Sequence, residues 1–365
     1  MHQPHFRYWR AGSDGTSACY RTGLNRDENP RMRYVIYGAG AIGATIGAAL
    51  HMRGHDVRLI ARRLHLQTLQ TDGLTFISPG RTLRLPIPAT DDPATLALRD
   101  EDVVLLAMKS QHTAGALAAL RAATAAAPAV ICAQNGVENE RLALRVFPRV
   151  YGMEVVMPAT HLQPGCVEAH CRDPYGLLDF GRIGPMPARS DPLAEQIARD
   201  LLGAGFGCEL RARIMPWKYR KLVLNLGNGV NLLIGAAAES RDIVRMLRGE
   251  AAVVLASAGI DVTPEDEYRK RTDLLDKSAT DHTRRAGSST WQSALRGAGN
   301  VETDYLNGEI TLLGRLHGVP TPVNALIQEL CAGHAARMLP PGTYPSGQLL
   351  GRARAQAQTV QARHE

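Results

Sequence analysis

MRYVIYGAGAIGATIGAAL, residues 32–50, decides how the rest of the chain is read. Met32 to Tyr37 is a short apolar run of the kind that forms a buried strand, and Gly38-Ala39-Gly40-Ala41-Ile42-Gly43 follows it directly, opening an Ala- and Gly-rich helix. Gly38 permits a tight turn, Gly40 lets backbone approach a pyrophosphate, and Gly43 lets the helix lie close to the strand. A helix N-terminus placed there attracts phosphate, with the backbone of Ala39, Ala41 and Ile42 completing the cradle. Strand before and helix after are the context this motif requires, so the stretch reads as a dinucleotide-binding turn.

Outward from it, apolar strand candidates at Val57–Ala61, Val103–Met108, Ala129–Ala133 and Val150–Val156 alternate with Ala- and Leu-rich helical stretches. Such alternation implies a parallel sheet covered on both faces. Shorter β-like runs over Ala159–Ile183 extend the sheet as a meander, and helical patterns dominate from about Pro192 to Met338. The expected fold class is α/β, an N-terminal Rossmann (doubly wound) domain followed by an all-helical C-terminal domain. The divisions are residues 1–31 as a disordered extension, 32–205 as the nucleotide domain, 206–339 as the helical substrate and catalytic domain, and 340–365 as a flexible tail. Met32 is the expected natural start, with the polar, aperiodic segment before it dispensable.

Composition narrows the function. At 365 residues, 45% hydrophobic and 21% charged, the chain can build two ordinary domains and is too apolar to be disordered. No apolar stretch approaches the ~20 residues of a membrane span, and the N-terminus has no apolar signal region, so a cytoplasmic location is expected. The net charge of +7 comes from dispersed arginines without interleaved aromatics, which argues against nucleic acid and for small anionic ligands. Six scattered cysteines form no CxxC pair, and Cys166, His170 and Cys171 with His161 match no zinc spacing, so no metal is expected. Only five of the 42 cationic residues are lysines, at 109, 218, 221, 270 and 277. A lysine can release its proton where an arginine effectively cannot, so each is a candidate for chemistry.

Candidate site residues sit at strand ends. Val57–Ala61 runs into Arg62 and Arg63 rather than an acidic residue for the ribose hydroxyls; Arg62, 24 residues after Gly38, suits a 2′-phosphate and favours NADP(H) over NAD. Two solvated arginines are the plain alternative. Val103–Met108 runs into Lys109 and Ala129–Ala133 into Gln134-Asn135-Gly136, both facing the crevice where doubly wound sheets hold ligands. Trp217–Ile234 reads as one helix, apolar almost all round, with Lys221, Asn225 and Asn228 on a narrow stripe. A buried ammonium needs hydrogen-bonding partners or a counter-charge, so that stripe should line a polar cleft, unless Lys221 merely snorkels at an edge. Gly287-Ser288-Ser289-Thr290-Trp291-Gln292 is a hydroxyl-rich turn able to clasp a carboxylate, and Glu302 stands near the start of a helix.

Taken in order, GAGAIG, Arg62, Lys109, AQNG (133–136), KLVLN (221–225), GSSTWQ (287–292) and ETDYLNG (302–308) resemble the ketopantoate reductase (2-dehydropantoate 2-reductase) family over about Met32 to Met338. The resemblance implies NADPH-dependent reduction of a 2-keto acid in a cleft between a Rossmann domain and a helical domain that often dimerises. It implies Lys221 as general acid, oriented by Glu302. Asn135, Asn225 and Ser289 would position substrate and Lys109 would lie beside the cofactor, which Asn135 and Glu302 also border. Members often carry a second Asn where this chain has Gly229, and Asn228 is the expected substitute. Ketopantoate, on the route to pantothenate and coenzyme A, is the expected substrate. Paralogous 2-keto acid reductases and opine-type imine dehydrogenases share every motif. A non-catalytic NADP-binding sensor would keep GAGAIG and Arg62 without needing Lys221, Asn225 and Glu302 together.

Overall fold

The computed structural model describes residues 32–161, 163–184, 191–275, 290–291 and 301–361. Its first half follows the alternation of the sequence: β1 (Arg33–Tyr37), α1 (Ala41–Met52), β2 (Asp56–Ile60), α2 (Arg63–Asp72), β3 (Leu74–Ser78), β4 (Arg81–Leu85), β5 (Ala89–Thr90), β6 (Val103–Leu106), α3 (Thr113–Ala123), β7 (Ala129–Cys132), α4 (Asn139–Leu144) and β8 (Val150–Val156). Then come β9 (Ala159–Thr160), β10 (Cys166–Ala169), β11 (Leu177–Arg182) and α5 (Pro192–Gly203). Helices follow: α6 (Met215–Asn225), α7 (Gly227–Ile234), α8 (Ser240–Ser257), α9 (Glu265–Thr272), and after a 3-10 turn at Glu302–Tyr305 the helices Asn307–His317, Pro322–Ala336 and Ser346–Gln361.

Seven strands form the main sheet in the order β11-β8-β7-β6-β1-β2-β5. All neighbours are parallel except β11, which runs antiparallel to β8. Chain order runs outward both ways from β1, so the switch point lies between β1 and β6, where open α/β sheets place ligands. Tyr34, Ile36, Val103, Leu105 and Ile131 point to one face and Val35, Val104, Leu106, Val130 and Cys132 to the other; all are buried. Fully two-sided burial explains why these strands are continuous apolar runs.

The expected meander over 159–183 is only part of what forms. β11 extends the main sheet, but β9 and β10 join a separate four-stranded sheet, β4-β3-β10-β9. Its β3–β4 hairpin is hidden in sequence because β4 (RTLRL) has one partly polar, exposed side and little apolar contrast.

A second apolar core lies among the helices, with Leu226, Val230, Leu233, Ile243, Leu247, Ile310 and Ile327 buried in it. The chain stays with the sheet longer than the expected division at 206, since backbone bonds join Leu178 to Gly207, Phe180 to Glu209 and Arg211 to Phe180. The expected flexible tail is largely the helix Ser346–Gln361, whose Leu349 and Ala353, one turn apart, are buried in the helical core. Even the Pro- and Gly-rich approach is tied down, with the Gly342 and Tyr344 amides donating to Leu232 and Leu233 carbonyls. Among the described residues, no helix is long and apolar enough to cross a membrane.

Candidate active site

The glycine turn is built as its spacing demands. Gly38 has φ +103°, and a Cβ there would come within 2.5 Å of the Met108 amide. A Cβ on Gly43 would lie 2.2 Å from the Gly38 carbonyl oxygen, so both glycines are required by packing. Gly40 differs: no atom lies within 4 Å of the position its Cβ would take. That open space lies at the N-cap of α1, whose first turn carries no acidic residue and no side-chain cap. Uncapped N–H groups over open space fit a dinucleotide pyrophosphate. The Gly38 and Ala39 amides both donate to the Ile60 carbonyl, at 3.0 and 3.3 Å, anchoring the turn on β2.

Arg62, the N-cap of α2, is exposed, and Arg63 beyond it has φ +57°. The Arg62 charge acts on two neighbours at the crevice. Burial lowers the His112 pKa and Arg62 lowers it further, while Glu302 opposes; burial raises that of Tyr37 and Arg62 opposes. Arg62 thus lies within electrostatic reach of His112 and of Tyr37, the residue preceding Gly38.

The ends of β6 and β7 meet in a hydrogen-bonded network. Lys109 Nζ lies 2.5 Å from Glu302 Oε2, and the Ser110 amide donates to Glu302 Oε1 at 3.1 Å. Ser110 Oγ donates to the Asn135 carbonyl at 3.2 Å, and Asn139 Nδ2 reaches the same carbonyl at 3.0 Å and Ser110 Oγ at 3.1 Å. Thr113 donates to Asn139 Oδ1 at 2.7 Å and in turn accepts from Gln134 at 2.8 Å. The backbone of Asn135 is thus held rigidly while its side chain stays half-buried at the crevice.

Helix α6 docks onto the open edge of β8. The Arg149 carbonyl takes the Val130 amide and the Val150 carbonyl takes the Ile183 amide, so odd-numbered carbonyls of β8 face β7. β7 ends at Cys132, opposite Gly152, leaving the Met153 and Val155 carbonyls without a strand beside them. Two lysines one turn apart on α6 supply the missing donors. Lys218 Nζ donates to the carbonyls of Cys132 (3.3 Å), Gln134 (3.1 Å) and Met153 (3.4 Å) and pairs with Glu140; both side chains are almost wholly buried. Lys221 Nζ donates to the Val155 carbonyl and lies 3.5 Å from Glu154 Oε1, with 19% of its side chain exposed. Glu154 also accepts from the Tyr268 hydroxyl at 2.8 Å.

Burial holds the Lys221 pKa below the ordinary lysine value; the Glu154 carboxylate works against this and the Lys218 charge adds to it. An ammonium so placed is a better proton donor than one in water. Burial likewise pushes the Glu140 carboxyl up, opposed by Lys218.

The expected single helix 217–234 is two, α6 and α7, joined at Leu226. Asn307 Nδ2 takes the Leu226 carbonyl at 3.2 Å, satisfying backbone at the break. Lys221, Leu224, Asn225 and Asn228 nonetheless form one half-buried stripe, while Leu222, Val223, Leu226 and Val230 are buried. Gly229 faces away from that stripe, since a Cβ there would lie 2.7 Å from Ile327 and 3.0 Å from Cys331. A bulky amide has no room at 229 against the helix Pro322–Ala336.

One sequence expectation is corrected. Glu302 does not pair with Lys221; it pairs with Lys109 and the Ser110 amide, and the carboxylate at Lys221 is Glu154. The 3-10 turn carrying Glu302 packs on the turn Ser110–His112, where an ammonium and a backbone N–H lie nearest to it. Ser289 lies outside the described residues. Sequence reasoning passed over Glu154, Tyr268, Glu140 and Asn139, and counted Lys218 among the candidate lysines without giving it a place. For Glu154 there was a signal: a carboxylate inside the buried strand VYGMEVV requires a cation or donors.

Most of the chain is similar to known proteins. Residues 34–184 match the model of the ketopantoate reductase PanE/ApbA family, and residues 213–335 that of its C-terminal domain. The chain is 26% identical over 306 residues to a 2-dehydropantoate 2-reductase of Pyrococcus horikoshii, covering 82% of this chain and 96% of that one. The crystal structure of a PanE/ApbA family ketopantoate reductase from Ralstonia eutropha superposes with a TM-score of 0.70 at 26% identity, covering 84% of this chain and 99% of the other. A D-mandelate dehydrogenase solved with NADH and anilino(oxo)acetate shares the fold, with a TM-score of 0.71 at 23% identity and coverage of 84% and 99%.

Proposed function

The chain belongs to the ketopantoate reductase family and is an oxidoreductase of the 2-dehydropantoate 2-reductase type, and we propose that it uses NADPH to reduce ketopantoate to (R)-pantoate, a cytoplasmic step towards pantothenate and coenzyme A. The observation that carries this reading is the half-buried stripe of Lys221, Asn225 and Asn228 along α6 and the start of α7, with α6 clamped to the carboxyl end of β8 and to the Gln134 carbonyl, next to Asn135 in the network that holds Lys109 and Glu302.

A nicotinamide cofactor, when bound, supplies the hydride. The open space over Gly40 would take its pyrophosphate, Arg62 its 2′-phosphate, and Lys109 with Glu302 would border the nicotinamide end. Asn135, Asn225 and Asn228 offer amide donors to the keto acid, and Ser289 would add a hydroxyl at its carboxylate. Lys221 Nζ is the proton source. Reduction of a ketone leaves negative charge on its oxygen, which an ammonium both stabilises and protonates. Its salt bridge to Glu154 favours the charged form despite burial. Lys221 gives up the Val155 carbonyl when substrate oxygen replaces it as acceptor. The substrate is a small-molecule 2-keto acid, and a homodimer through the helical domain accords with this reading.

The test is oxidation of NADPH and of NADH with ketopantoate and a panel of other 2-keto acids, phenylglyoxylate among them. Saturable turnover of ketopantoate at micromolar concentration with NADPH is the expected result. Preference for another keto acid would replace the substrate while leaving the reaction class intact, and no turnover of any would overturn both.

A further inference from the structure

The glycine turn is held from two sides. Beneath it is the Ile60 carbonyl of β2; above it is His65, in the first turn of α2 and three residues beyond Arg62. His65 Nε2 lies 2.7 Å from the Ala39 carbonyl oxygen, and the Gly165 amide lies 2.8 Å from His65 Nδ1. A backbone N–H can only donate, so Nδ1 is the unprotonated nitrogen and Nε2–H donates to Ala39. Geometry alone therefore assigns a neutral ring and its tautomer. Burial, which lowers the His65 pKa, agrees with it, outweighing the bond to Ala39.

Gly165 is itself fixed. Its carbonyl takes the Thr75 amide at 2.8 Å, its φ is +72°, and a Cβ on it would lie 2.3 Å from Thr68 of α2. It immediately precedes β10 of the small sheet. His161 packs against the imidazole, with ring centroids 4.4 Å apart and ring planes tilted by 48°. One side chain thus ties together three pieces of backbone: the turn meant for the pyrophosphate, the loop that carries Arg62, and the small sheet.

We propose that His65 is a positioning residue for the dinucleotide, its neutral imidazole holding the Ala39 carbonyl so that the Gly38–Gly40 turn and the Arg62 loop form one preorganised unit. This rests on the nucleotide reading of that turn. Preorganisation raises affinity because the ligand need not itself order the loop. It also gives the four-stranded sheet, which supplies none of the candidate site residues, a role in cofactor binding.

Two half-mimics of the ring separate the donor from the acceptor. In His65→Gln the amide nitrogen reaches the place of Nε2 and can still donate to Ala39. In His65→Asn the shorter side chain reaches only the place of Nδ1, keeping the Gly165 contact and losing Ala39. Dissociation constants for NADPH are measured on the free full-length protein by fluorescence, with unfolding midpoints recorded alongside. His65→Asn and His65→Ala are expected to weaken NADPH binding about tenfold, the effect of one well-made hydrogen bond. His65→Gln is expected to stay within about threefold of wild type, and kcat at saturating cofactor to be unchanged in all three. Equal affinity for His65→Asn and wild type would overturn the proposal, as would equal weakening in the Asn and Gln variants or a fall in kcat with unchanged affinity. If His65→Ala does not fold, the Asn and Gln pair decides. Wild-type protein that binds neither NADPH nor NADH would instead break the oxidoreductase reading, and this inference with it.

Discussion

Lys218 and Lys221, one turn apart on α6, donate to the Met153 and Val155 carbonyls, two successive β7-facing acceptors that β8 presents beyond the end of its neighbour. The two lysines differ in what surrounds them. Lys218 is 2% exposed and saturated by three carbonyls and Glu140, a structural clamp. Lys221 is 19% exposed, with a single carbonyl and a carboxylate at 3.5 Å, so it can trade a partner for substrate. Divided in this way, the first holds the helix and the second is left to do chemistry.

Replacing Lys221 should separate chemistry from cofactor binding. Lys221→Ala is expected to lower kcat by about 10²–10⁴-fold, the usual contribution of a positioned acid. Lys221→Arg should fare little better, since a guanidinium does not release its proton. NADPH affinity in both, read by fluorescence titration, should match wild type; unchanged turnover would remove Lys221 as the acid, whereas wild-type protein that binds NADPH and turns over no keto acid would point to the sensor reading.

The acid form of Lys221 is the active one, so activity falls as pH rises through its pKa. Because burial lowers that pKa, the alkaline limb of kcat should lie below the ordinary lysine value of about 10.4. Glu154 opposes the lowering. Glu154→Gln should therefore move the limb to still lower pH, and a pH–rate profile of the two proteins checks the direction.

Lys218→Ala strands the Glu140 carboxylate in a fully buried place. Its stability cost is expected at about 3–5 kcal/mol, typical of breaking one side of a buried pair. Denaturant unfolding of Lys218→Met combined with Glu140→Leu should show a smaller loss, because no charge is then left unpaired.

Gly40 and Gly43 should respond oppositely to Val. Gly40→Val meets open space at an ordinary φ of −78°, so it should fold normally and lose nucleotide binding. Gly43→Val collides with the Gly38 carbonyl and should be strongly destabilised. Melting temperatures and NADPH titrations of the pair distinguish the two roles.

Arg62→Asp with Arg63→Asp should weaken NADPH binding by about ten- to a hundredfold, the range of a hydrogen bond to a charged group. NADH affinity should hold or improve. Equal loss for both nucleotides would remove Arg62 from the 2′-phosphate.

Much was legible because local chemistry leaves a periodic or positional trace. The two-sided burial of β1, β6 and β7 writes itself as apolar runs, GAGAIG specifies a turn only glycines can make, and the Lys221–Asn225–Asn228 stripe follows from 3.6 residues per turn. The β3–β4 hairpin left no comparable trace, since its outer strand is half exposed. The helix Ser346–Gln361 was masked by the Pro- and Gly-rich stretch before it, although Leu349 and Ala353 sit at helical spacing.

What the amino-acid order determined alone was the class of fold, the phosphate turn, and which side chains could carry charge into a cleft. Which carboxylate meets which lysine was decided only in three dimensions. Glu302 and Glu154 are both buried acids that need a cation, and nothing local says that the first takes Lys109, 193 positions away, and the second Lys221, 67 positions away. That choice follows from where β7 stops beside β8 and from the turn on which Glu302 comes to rest. Pairing of buried charges depends on distance through space, which chain spacing does not encode.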